Sequence, residues 1–175
     1  MSPLRVLITA GRGEGKTTFI KEISRHLETR LVPHTGFYAE GAWEDGSRKS
    51  FCLTLLPGKD IVPLCDRTTE EWLKFGRFRY NPAALARGNE TIAGARPGEI
   101  IIMDEIGRQE LEGRVWADAL GVALSKGNPL ILSVQLRYLE DIISRLKLRE
   151  YTVYNVGIDP WHALFKEVTS LPFTG

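Results

Sequence analysis

Apolar side chains come in two rhythms along this chain. Runs of about five residues, rich in Val, Ile and Leu and closed by turn formers or acidic residues, read as buried strands at 5–9, 99–103, 130–134 and 152–156. Stripes at intervals of three or four read as helices. Ile20, Ile23, Leu27 and Leu31 predict one over 17–31, which Pro33 ends. Leu111, Val115, Ala119 and Val122 predict a continuous helix over 111–125. Leu139, Ile142, Ile143 and Leu146 stripe another, and Trp161, Leu164, Phe165 and Val168 stripe the last. Strand and helix in alternation predict an α/β fold with a mostly parallel central sheet and helices on both faces.

The stretch 36–67 breaks this alternation. Residues 37–39 and 50–55 flank Glu44-Asp45-Gly46-Ser47, whose Asp-Gly signals a hairpin. Pro57-Gly58-Lys59-Asp60 then turns the chain into a further short strand at 61–64. The expectation is a small antiparallel hairpin excursion from the main sheet. Residues 72–80 mix aromatic and basic side chains and read as a partly buried loop between two halves of the sheet. Pro82 opens a short helix through Thr91.

Composition narrows the class. The 175 residues suit a single domain over 1–175, and 23 basic against 22 acidic side chains give no support to a dedicated nucleic-acid binder. The mixed segment 72–80 leaves a local nucleic-acid path open. No apolar run spans a bilayer and the N-terminus lacks a signal peptide's order, so a cytoplasmic protein without membrane contact is expected, with a monomer favoured. Cys52 and Cys65 stand apart, and His26, His34 and His162 have no metal-ligand spacing.

Candidate chemistry begins at Ala10-Gly11-Arg12-Gly13-Glu14-Gly15-Lys16-Thr17, between the first strand and the first helix. This matches a phosphate loop except that Ala10 stands in the place of the first glycine. Glycines let such a loop turn its N–H groups onto phosphate oxygens, and the helix start adds unpaired donors. Gly11, Arg12, Gly13, Glu14, Gly15, Lys16, Thr17 and Thr18 are therefore expected to hold a nucleotide, with Lys16 on the β- and γ-phosphates and Thr17 on Mg²⁺. Arg12 reaches the γ-phosphate or is simply solvated; both readings stand.

The second candidate is the acidic pair ending the run Ile100-Ile101-Ile102-Met103-Asp104-Glu105. Asp104 is expected to hold Mg²⁺ beside Thr17, and Glu105 to orient or deprotonate the attacking water. A carboxylate pair after a strand is weak evidence alone, since acids also cap helices. Joined to the phosphate loop it indicates a P-loop NTPase fold and a hydrolase.

These residues resemble the THEP1-type nucleoside-triphosphatases. The similarity is carried by residues 11–18, by Gly36-Phe37-Tyr38-Ala39-Glu40, and by Asp104-Glu105-Ile106-Gly107-Arg108-Gln109-Glu110-Leu111. The resemblance implies Mg²⁺-dependent hydrolysis of ATP, GTP and other nucleoside triphosphates to the diphosphate and phosphate. Lys16 and Thr17 then look like the phosphate and metal contacts, and Asp104 and Glu105 like the acidic pair. The chain departs from the family's pattern in lacking a loop proline, in Gln109 where Met is common, and in Val156-Gly157 after Asn155 where an Asn-Arg-Asp string is usual.

Other cations and polar residues have competing readings. Arg108 either neutralises phosphoryl charge from within the chain or pairs with Glu110 or Glu112. Glu110 favours a helix N-terminus. Arg145, Lys147 and Arg149 form a phosphate lid or a charged outer helix face, and Gln135 is a candidate γ-phosphate sensor. Two further functions use the same loop: a kinase holding a small hydroxylated acceptor near Arg77, Arg79 or Arg145, and a nucleotide-gated binding module.

Overall fold

The computed structural model describes residues 3–11 and 13–170. From β1 (Arg5–Ala10) the glycine loop leads into α1 (Lys16–Thr29). Five strands follow with no helix between them: β2 (His34–Glu44), β3 (Ser47–Leu56), β4 (Ile61–Asp66), β5 (Leu73–Phe75) and β6 (Phe78–Tyr80). After α2 (Pro82–Ala93) the alternation returns with β7 (Ile100–Ile106), α3 (Arg108–Leu111), α4 (Ala117–Lys126), β8 (Leu130–Gln135), α5 (Leu139–Leu146), β9 (Thr152–Asn155) and α6 (Trp161–Thr169).

The strands form one sheet in the order β5-β6-β4-β3-β2-β7-β8-β1-β9. From β2 to β9 every pairing is parallel. From β2 outward through β3, β4, β6 and β5 every pairing is antiparallel. The antiparallel part thus reaches further than a hairpin excursion. β2 is long enough to serve both halves, pairing with β7 through His34 to Phe37 and with β3 through Gly36 to Glu44. The segment 72–80 is no loop between halves; it is a hairpin at the sheet's outer edge.

Alternation along the central strands divides the core into two layers. Val6 and Ile8 of β1, with Ile100 and Ile102 of β7, join Ile20, Ile23 and Leu27 of α1 and Leu164 and Val168 of α6. Leu7, Ile101 and Met103 point the other way, to Ala84 and Ile92 of α2, Ala119 and Leu120 of α4, and Ile142 of α5. Covering both faces leaves the carboxyl ends of the parallel strands as the open rim, where ligands bind in sheets of this kind.

The helix expected over 111–125 is broken. Gly113 (φ 74°) and Val115 (φ 51°) are left-handed, which no continuing α-helix accommodates. The break turns Trp116 inward, its ring 4.3 Å from that of Phe37, while Val122 of the expected apolar stripe is exposed. Among the described residues no helix is long and apolar enough to cross a membrane.

Candidate active site

β1 delivers the glycine loop to the open rim. Ala10 is still a strand residue, paired with Gln135 of β8 and buried, with no left-handed backbone, so a Cβ is tolerated where a phosphate loop usually starts with glycine. Left-handed geometry falls instead on Gly13 (φ 76°) and Gly15 (φ 92°). Gly15 caps α1 without any side-chain hydrogen bond, leaving the helix's first N–H groups as donors for an anion. Lys16 is buried and its Nζ donates to the Gly11 carbonyl at 3.3 Å. Glu14 folds back on the loop, its Oε2 accepting the Gly11 N–H at 2.7 Å. Thr18 is exposed at the start of the helix, and Arg12 lies outside the described residues.

Facing the loop, Asp104 is wholly buried at the end of β7. Its Oδ2 accepts the Thr17 hydroxyl at 2.9 Å and the Ala39 N–H at 3.2 Å, and its Oδ1 accepts the Ser133 hydroxyl. Burial, then repulsion from Glu105, raise its pKa to about 6, against the lowering effect of these three donors. The Ala39 N–H arrives because Gly36 (φ 126°) lets β2 lie tight on β7. A Cβ there would stand 1.9 Å from the Ile102 carbonyl oxygen.

Glu105 sits in a bulge. The β7–β8 register shifts between Met103 and Ile106, and Glu105 takes a left-handed conformation (φ 60°). Its N–H donates to Ser133 Oγ at 2.9 Å. Bulges re-aim side chains at the ends of strands, and this one makes Glu105 a wall residue of the cavity that Lys16 and Gly13 also line.

That cavity has a volume of about 450 Å³. It runs from the glycine loop past Gln135, Arg137 and Tyr138 to the antiparallel wing. Arg108 stands exposed on its rim with Nε 2.8 Å from Glu112 Oε1, which is the ion-pair reading. Glu110 is buried: it accepts the Gly107 N–H at 2.8 Å and the Trp116 N–H at 3.2 Å, tying together the two ends of the turn after β7. Burial pushes its pKa up to about 7.

The structure brings Lys16, Thr17, Asp104 and Glu105 together and adds residues the sequence reading did not single out. Ser133 is one, and its signal is a lone hydroxyl inside the apolar run of β8. Arg48 and Arg137 lie apart from this set, on the cavity beyond it, brought there from β3 and from the turn after β8 with no local motif to mark them. Gln135 lines the cavity and accepts from Arg137 Nε at 3.2 Å. Arg149 is no lid: it lies beside Arg5, at the amino end of β1, away from the loop.

The Thr17 hydroxyl and Asp104 carboxylate are hard oxygen donors of the kind Mg²⁺ takes. Among the described residues no group of three or more His, Cys, Asp or Glu could hold a metal ion by itself. A cation here would share its coordination with phosphate and water oxygens, as Mg²⁺ does in nucleotide sites.

Known proteins are similar to this chain along most of its length. The nucleoside-triphosphatase THEP1 of a Thermotoga species (strain RQ2) is 26% identical over 171 residues, covering 96% of this chain and 95% of its own. That of Metallosphaera sedula is 33% identical over 134 residues, covering 76% of this chain and 72% of its own. The solution structure of a human cancer-related nucleoside triphosphatase shares the fold, with a TM-score of 0.71 at 23% identity, over 95% of this chain and 96% of that one. A family model described as NTPase matches residues 5–169. Because that match runs from the first residue of β1 to the last of α6, it takes in the loop, the acidic bulge and the cavity wall together, and the chain belongs to this family of THEP1-type P-loop nucleoside-triphosphatases.

Proposed function

We propose that the chain hydrolyses nucleoside 5′-triphosphates, ATP and GTP among them, to the diphosphate and phosphate with Mg²⁺, and tolerates several bases. The observation that carries this is the 2.9 Å hydrogen bond from Thr17 Oγ1 to Asp104 Oδ2. It sets a hydroxyl and a carboxylate at one point of the rim, with Lys16 and Glu105 on the adjoining cavity. When bound, Mg²⁺ would neutralise charge on the β- and γ-phosphate oxygens.

The remaining work falls to the chain. Residues 11–18 supply N–H donors, and Lys16 places its charge where the β- and γ-phosphates sit. Glu105 orients water for attack on the γ-phosphorus and takes its proton. Arg108 assists by exchanging Glu112 for the oxygens of the transferring group. In this reading the nucleoside end lies on the far side of the loop, toward the turn after β9, whose Val156 stands 3.8 Å from the position a Gly15 Cβ would take.

Phosphate release from ATP, GTP, CTP and UTP with Mg²⁺ tests the reading. Release from several of them is expected, with Glu105→Gln retaining nucleotide binding and losing about 10²-fold in turnover. Lys16→Ala should lose both binding and turnover. Tight binding with no release from any triphosphate would overturn the hydrolase reading. Full activity in Glu105→Gln would remove Glu105 from its role.

A further inference from the structure

Attack by water on a γ-phosphate needs room for little more than one water molecule beyond it. The cavity that adjoins Lys16 and Glu105 holds about 450 Å³, a volume typical of small-molecule sites. It extends from the loop toward the antiparallel wing, and the turn after β9, toward which the proposed function directs the nucleoside, takes no part in its lining.

The walls suit an anion with a flat ring. Five cationic side chains face it, Lys16, Arg48, Arg77, Arg108 and Arg137, against two carboxylates, Glu105 and Glu110. Phe51, Phe75, Phe78, Tyr80 and Tyr138 add aromatic surface. Arginine forks suit phosphate oxygens, and aromatic faces suit a stacked ring.

Two wall residues also carry polar atoms without a partner. Arg48 Nε on β3 and Gln109 Oε1 on α3 are buried and unpaired, two of four such side-chain atoms found among the described residues. Buried polar groups are paired as a rule, so an orphaned donor and an orphaned acceptor on one cavity call for an explanation. A ligand presenting both an acceptor and a donor supplies one.

We propose that this cavity is a second binding site, for a phosphorylated aromatic compound of nucleoside-monophosphate size, seated beyond the γ-phosphate of the bound triphosphate. The ligand's phosphate meets the arginines, its ring lies among the aromatic side chains, and Arg48 and Gln109 reorient onto its polar atoms. This rests on Lys16 and Glu105 marking the γ-phosphate end of the first site. Neither Arg48 nor Gln109 belongs to the hydrolytic set, so the second site can be weakened without touching the first.

The experiment is calorimetric titration of AMP, GMP, CMP and UMP into protein already saturated with Mg²⁺ and a non-hydrolysable ATP analogue. At least one monophosphate is expected to bind at one site per chain without displacing the analogue. Arg48→Ala and Gln109→Leu should each weaken that binding by about tenfold. Both variants should hold the analogue as the parent does, which also reports that they are folded. Analogue binding with no monophosphate binding overturns the second site alone. So does monophosphate binding of equal strength in the parent and both variants. Failure of the parent to bind the analogue would overturn the reading of the phosphate loop itself.

Discussion

Ser133 on β8 holds Asp104 on β7 in place: its hydroxyl donates to Asp104 Oδ1 while its oxygen accepts the N–H of Glu105 at 2.9 Å. One side chain therefore fixes both members of the acidic pair, and it does so fully buried. Ser133→Ala leaves the Glu105 N–H unpaired and removes a donor from Asp104. The expected result is a loss of about 1–3 kcal/mol in stability, the cost of unpaired buried polar groups. Turnover should fall by about tenfold or more as Glu105 loses its aim, with KM little changed. Urea unfolding and steady-state phosphate release check the two halves. A variant with normal stability and turnover would show that the bulge holds without Ser133.

Gly36 sets the distance between β2 and β7. The 1.9 Å approach between a Cβ there and the Ile102 carbonyl oxygen involves rigid backbone on both sides, and φ 126° is itself hostile to any side chain. Gly36→Ala should therefore force the strands apart and lower stability by about 2 kcal/mol or more. The Ala39 N–H to Asp104 bond should lengthen with it. Thermal unfolding checks the first effect and the Mg²⁺ dependence of nucleotide binding the second. An unchanged melting temperature would count against the close approach as a constraint.

Glu14 places a carboxylate on a donor of the phosphate loop, the Gly11 N–H, at 2.7 Å. A triphosphate brings negative charge to the same loop, so this contact must be given up or must stand beside a like charge. Glu14→Gln removes the charge and keeps the side chain's shape. Triphosphate affinity is expected to rise by about two- to fivefold, within the range of single exposed charges near a helix start. Fluorescence titration with a labelled triphosphate measures it. Weaker binding in the variant would show that Glu14 supports the loop more than it competes with the ligand.

What could be read along the chain was whatever depends on local spacing. Lys16-Thr17 and Asp104-Glu105 announce themselves because their chemistry is contiguous, and the strands and α1 because their periodicity is. The antiparallel wing was legible as far as the hairpin and the short strand at 61–64, while β5 and β6 were not, since the partners of β4 and β6 are chosen by the sheet edge and not by neighbouring residues. The helix expected over 111–125 failed at Val115, whose left-handed backbone follows from anchoring Trp116 against Phe37, a residue 79 positions away in sequence. The cavity is the least legible feature. Arg48, Gln109 and Arg137 reach it from three separate elements, and no window of sequence contains more than one of them.

Glu110 gives the fold a pH dependence of definite sign. Its carboxyl is buried and its pKa is raised from the ordinary 4.5 to about 7, first by burial and further by repulsion from Glu105, while the N–H groups of Gly107 and Trp116 oppose the shift. Tyr80 is the other titratable neighbour, its phenol pushed up by burial and in part by Glu110. A raised acid pKa means that the folded chain keeps a proton which the unfolded chain releases. The stabilising contribution is complete below about pH 4.5, declines as pH rises, and is gone above about pH 7. Its size is on the order of 3 kcal/mol at most. Asp104, raised to about 6, acts in the same direction over part of this range. Comparison with Glu110→Gln isolates Glu110, because Asp104 contributes to both curves. Urea unfolding from pH 5 to 8 should show the parent losing stability more steeply than the variant, with the two slopes converging above pH 7. Parallel curves throughout would mean that Glu110 is ionised in the fold, its charge carried by the two backbone N–H groups alone.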